Sequence, residues 1–91
     1  MNGVVAGRIV HYVLSDEDAK KINERRGNQP DSGNTTMAGF HTPMMIVRVF
    51  PNEHGLVNGQ CLLDGSDTLW VIGKKYNEEN DYGSWHWIEK A

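Results

Sequence analysis

The sequence predicts a small, mainly β (α+β) domain: a five-stranded antiparallel barrel, SH3-like or OB-like, with one helix and a long loop between strands 1 and 2. Three observations predict it. Five short runs rich in β-branched and aromatic residues are separated by Gly-, Asn- and Asp-rich turns. One stretch only, after the first run, combines helix-start chemistry with good helix formers. Ninety-one residues make a single domain, 1–91, with a core of limited size. Five twisted strands of this length tend to curl toward closure; an open sheet with the helix packed across it is the alternative.

The first strand is expected over Gly7 to Leu14, opened by glycine and filled by Ile9, Val10, Tyr12 and Val13. Ser15 then reads as an N-cap. Asp16, Glu17 and Asp18 place acids in the first turn, where the helix dipole favours them. Ala19 and Ile22 are the apolar residues of this helix, so it buries a narrow stripe, and Gly27 is expected to end it. Asn28 to Gly39 is a polar loop without period, long for so small a domain.

Pro43 to Phe50 is the strongest strand pattern. Pro51 to Gly55 is turn chemistry, Val57 to Leu63 the next strand, and Asp64-Gly65-Ser66-Asp67 a tight hairpin turn. Thr68 to Ile72 and Ser84 to Ile88 complete the set, joined by a charged connector from Gly73 to Gly83. Strands two to four should form an antiparallel meander.

These strands do not alternate cleanly between apolar and polar. Met45, Val47 and Val49 oppose Met44, Ile46, Arg48 and Phe50; Leu69 and Val71 oppose Trp70 and Ile72. A half-solvated sheet has one polar face, so the surplus apolar face predicts a homo-oligomer. In the last strand Trp85 and Trp87 share one face and His86 takes the other. Core, partner or ligand can cover such indoles.

Net charge is -3 and the pI near 5.7, against a role in binding duplex nucleic acid. Mean hydropathy is -0.56, and no apolar stretch approaches the roughly 20 residues of a membrane span. No signal peptide is evident, and the single cysteine, Cys61, sits in an apolar run as a small buried hydrophobe. A reducing cytoplasm is the expected location.

No nucleophile elbow, phosphate loop or dinucleotide motif occurs, so no catalytic residue and no enzyme activity is expected. His11, His41, His54 and His86 are scattered, with no pair at i, i+2 or i, i+4, and no metal or other cofactor is expected. Asp64 and Asp67 read as turn formers. What remains is aromatic plus cationic. Tyr12, Trp70, Trp85 and Trp87 offer stacking faces; Arg8, Arg48, His11 and His86 offer donors. Arg48 interrupts an apolar strand and needs an anionic ligand, a carboxylate such as Asp64 or Asp67, or an exit to solvent.

The opening Gly7-Arg8-Ile9-Val10-His11-Tyr12-Val13-Leu14 and the close Gly83-Ser84-Trp85-His86-Trp87 resemble the two ends of a family of small phage and prophage accessory proteins. Pro43 to Phe50, Val57-Asn58 and Leu62-Leu63-Asp64-Gly65 fit the same family, whereas Ile88 stands where it often has proline. The resemblance implies a non-catalytic protein that counters host defence. Its ligand would be a small nucleotide-like immune signal, a cyclic dinucleotide or an ADP-ribose derivative, held by the eight aromatic and cationic residues named above. The alternative is an interaction module that inhibits a host defence protein through its exposed sheet.

Overall fold

The computed structural model describes residues 1–28 and 33–89. The elements run β1 (Ile9–Val13), α1 (Asp16–Asn28), β2 (His41–Val49), β3 (Val57–Leu62), β4 (Thr68–Lys74) and β5 (Trp85–His86). All strand pairs are antiparallel, in the order β4-β3-β2-β1-β5. The expected mainly β architecture, with its single helix and long connection after β1, is present. The sheet is open in its ladder order, but it curls. Tyr76, just past β4, forms a parallel bridge with Trp85 of β5, and the Trp85 amide donates to the Lys75 carbonyl at 3.0 Å. The two edges thereby approach, giving a small barrel-like shape.

The core lies on the concave face. Val10, Tyr12 and Leu14 meet Met44 and Ile46 of β2, Val57 and Cys61 of β3, and Leu69 and Val71 of β4. Trp85 fills the middle, fully buried, with its indole N–H donating to the Gly55 carbonyl at 2.7 Å. A buried Trp keeps its hydrogen bond, which fixes the turn before β3 to the last strand.

Helix α1 starts as its sequence dictates. The Ser15 hydroxyl accepts from the Asp18 amide, and the Asp18 carboxylate accepts from the Ser15 amide, both at 3.1 Å: a reciprocal cap with Asp in the usual Glu position. Ala19 and Ile22 are buried as the stripe requires, flanked by buried Asp18 and Arg26. The helix continues through Gly27 to Asn28, one residue beyond the expected stop. Residues 29–32 of the expected loop lie outside the described residues. From Gly33 the chain returns, bridging Gly65 in the β3–β4 turn and pairing Thr36 with Asn23 of α1 through two 2.9 Å hydrogen bonds.

Two strand boundaries and one bulge depart from expectation in ways that matter for the site. β2 starts at His41, ahead of Pro43, and is in register with β1 from its first residue. Proline lacks the ladder donor, but the ladder to β3 starts only at Met44. β2 also bulges: Ile46 opposes Gly59 and Arg48 opposes Asn58, so Val47 and Arg48 together span one partner step. Both are exposed, which removes Arg48 from the core face that strict alternation gives it. Finally, β5 is only Trp85 and His86; the chain leaves the sheet at Trp87.

Candidate metal centre

The outer face of the sheet at the β5-β1-β2 edge gathers three imidazoles. Alternation along β1 puts Tyr12 in the core and His11 outside. Antiparallel pairing puts His86 directly beside His11, and His41 beside Val13, one step further along the same face. Cross-strand neighbours on one face lie within side-chain reach. The ring centroids are accordingly 5.8 Å apart for His11 and His86, 6.2 Å for His11 and His41, and 4.8 Å for His41 and His86.

Because β5 stops at His86, the chain turns and returns Glu89 to the same spot. One carboxylate oxygen meets His11 Nδ1 at 2.7 Å; the other meets His41 Nδ1 at 3.0 Å and also contacts His86 Nε2. The four donor atoms, one per residue, all lie within 4.8 Å of one another. His86 is almost fully buried, His11 and His41 are partly covered, and Glu89 is half exposed. Its own backbone N–H is the main influence that pulls the Glu89 carboxyl down to about 2; partial desolvation opposes it, and hydrogen bonds from His11 and His86 add to the lowering. The carboxylate is therefore ionised throughout the neutral range, as a metal ligand must be. His86 Nδ1 is buried with no hydrogen-bond partner among the described residues.

The donor set, three imidazole nitrogens and one carboxylate oxygen, is that of a borderline transition ion such as Zn²⁺, not of Mg²⁺ or Ca²⁺, which take oxygen. Bond lengths of about 2.0–2.2 Å in a tetrahedron place ligand atoms roughly 3.3–3.5 Å apart. The four atoms, all within 4.8 Å of one another, would have to draw closer to reach that geometry. Spacing along the chain gave no metal motif because these residues come together only through pairing between strands.

The eight residues expected to hold a nucleotide-like ligand do not form one site. His11 and His86 belong to the imidazole cluster, whose other members are His41, set aside by its spacing along the chain, and Glu89, which sequence reasoning missed. Tyr12 and Trp85 are fully buried core residues with no ring face open to a ligand, and the Tyr12 hydroxyl donates to Asp18 at 2.5 Å. Burial and the adjacent Asp18 push the Tyr12 phenol up, keeping it neutral. Trp87 packs edge-on to Trp85, at 5.3 Å between centroids, and carries the Arg8 guanidinium 5.3 Å from its own ring centre. Arg48 lies 5.3 Å over Phe50, not on Asp64 or Asp67. Asp67 pairs instead with Arg25 and Arg26, and Asp64 with Asn34. Trp70 is exposed on β4, at the opposite end of the strand order from β5. Cys61 is buried, and burial pushes its thiol up to about 12, so it is no metal ligand or nucleophile at neutral pH.

No helix among the described residues is long and apolar enough to cross a membrane. No protein-family model, curated protein or solved structure matches the chain, so function must be read from the geometry of this cluster.

Proposed function

We propose that this protein binds one divalent transition ion, Zn²⁺ in the first place, on His11, His41, His86 and Glu89. The observation that carries the reading is the convergence of four donor atoms from three strands and the C-terminal turn within 4.8 Å. Four protein ligands fill a tetrahedral shell, the pattern of a closed structural site rather than a catalytic one with an open position. The ion would then act as a clip. It would tie the segment after β5 onto the first two strands, joining the two ends of the chain across one face. In keeping with that, the reading assigns no catalysis. The chain's likeness to phage accessory proteins suits a small binding module of this kind.

The test is titration of chelator-stripped protein with Zn²⁺ by calorimetry, with bound metal measured after dialysis. One ion per chain and a shift of the imidazole signals of His11, His41 and His86 are expected. Absence of stoichiometric binding, or shifts confined to His54, sinks the reading. Co²⁺ substitution adds coordination number: an intense tetrahedral visible spectrum supports a closed clip.

A second reading, self-association, is supported by a different observation. Met45, Val47, Trp70 and Ile72 are exposed apolar side chains on the outer face of β2 and β4. Sedimentation equilibrium with and without Zn²⁺ checks it, a mass of twice the chain or more being the expected result.

A further inference from the structure

The end of the barrel covered by α1 and the returning loop holds a second feature, which shares only His41 with the imidazole cluster. A cavity of about 170 Å³ lies between the helix, residues 35–43 and the end of β3. Its walls are largely apolar, from Leu14, Ile22, Phe40 and Leu63. Two buried polar side chains also line it: Arg26, 5% exposed, and Thr42, 9% exposed. Among the described residues Arg26 Nε has no hydrogen-bond partner, and the buried Thr42 hydroxyl has none beyond the weakly bonding Cys61 thiol.

An unpaired buried donor carries a desolvation cost that native folds seldom leave uncompensated. The Arg26 guanidinium is otherwise engaged, one terminal nitrogen donating to Asp67 at 3.1 Å. That carboxylate also takes Arg25, at 3.2 Å on its other oxygen. One acid therefore serves two guanidiniums. Asp64 also borders the cavity, but it is exposed at the mouth and its carboxylate accepts from Asn34 at 2.7 Å. An apolar pocket with a few convergent polar groups is the usual build of a small-ligand site. Cavities of about 150 Å³ admit a benzene-sized molecule, and an arginine N–H in such a wall calls for an anionic oxygen.

We propose that this cavity binds a small organic carboxylate with a compact apolar body of about benzoate size, its carboxylate accepting from Arg26 Nε and the Thr42 hydroxyl. His41 borders both this cavity and the imidazole cluster, so the test uses chelator-stripped protein to separate the two. Benzoate is titrated into methyl-labelled protein and followed by NMR, with toluene as the uncharged comparator. Saturable shifts of the Leu14 and Ile22 methyls are expected, with toluene weaker by roughly tenfold. Thr42→Val, which keeps the shape and removes the hydroxyl, should weaken benzoate roughly fivefold. Arg26→Lys should weaken it further while keeping a cation near Asp67; if that variant does not fold, Thr42→Val decides. Absence of saturation in the millimolar range overturns the proposal. So do equal affinities for benzoate and toluene, an unaltered affinity in Thr42→Val, or shifts confined to His11, His41 and His86.

Discussion

Trp85 and His86 are chain neighbours with opposite fates. Trp85 points inward, fully buried, packed against Tyr76 and Trp87 and hydrogen-bonded to Gly55. His86 points outward into a cluster of imidazoles around a carboxylate. Tyr12 and His11 repeat the contrast on the adjacent strand, in register: His11 opposes His86 and Tyr12 opposes Trp85. Two strands at the ends of the chain thus present aromatic bulk to the core and imidazole to the exterior. The inner pair supplies rigidity, and that rigidity holds the outer pair in place. A site made of four side chains on a two-residue strand and its neighbours needs such backing.

The largest effects should come from breaking the inner side. Trp85→Ala removes the largest fully buried side chain and should cost about 3–5 kcal/mol in urea-induced unfolding. Zn²⁺ affinity should fall with it, because the strand carrying His86 loses its anchor. His86→Ala is the converse. It should weaken Zn²⁺ binding on the order of a hundredfold or more, since even outer partners of metal ligands account for about 10–100-fold. The metal-free protein should lose less than about 1 kcal/mol, because the change also removes a buried Nδ1 without a partner. If the two variants lose stability equally, inner and outer faces are not the separate functions described.

The difference between the faces also explains what was legible beforehand. The strand pattern, the Ser15–Asp18 cap and the apolar stripe of Ala19 and Ile22 are local, and each is a matter of neighbours in the chain. The opposite orientation of Trp85 and His86 follows from alternation alone. The imidazole cluster is different, because its three histidines are separated by 30 residues or more and meet only through strand pairing. Searching for ligand pairs at i, i+2 or i, i+4 is blind to a cross-strand pair such as His11 and His86. His41 was hidden by Pro43, which masks a strand start, and Glu89 by the assumption that the last strand runs to Ile88. One signal was present: two histidines, each preceding or following a large core aromatic, in the first and last strands. Arg48 shows the same limit in reverse. Alternation placed it on the core face, and a bulge that no local pattern announces turned it out.

Acid should affect the outer face next. With its carboxyl held at about 2 by its backbone N–H and the histidines, Glu89 lies below its ordinary unfolded range near 4.3. A group depressed on folding contributes stability that is present above the unfolded pKa and lost as pH falls through the folded one. The metal-free protein should therefore lose this contribution between about pH 4.3 and 2. Glu89→Gln should flatten the pH dependence of urea stability in that window alone. An unchanged slope in the variant would show that the carboxylate does not pair with the imidazoles in solution.

The smallest effect sharpens the comparison most, because it asks whether every outward charge belongs to the site. Arg48 is exposed, at a bulge, with its guanidinium 5.3 Å over Phe50 and no carboxylate partner among the described residues. An exposed cation–π contact is worth about 0.5–1 kcal/mol. Arg48→Ala should therefore lower urea stability by no more than that and leave Zn²⁺ affinity unchanged. A loss of several kcal/mol would return Arg48 to the inner face and remove the bulge from the account of β2. A loss of Zn²⁺ binding would extend the outer site across the width of the sheet, because Arg48 pairs toward β3 while the imidazoles gather at the β5 edge. With neither, the metal centre is confined to the corner where the first and last strands meet, and the remainder of the outer face is free to serve another purpose.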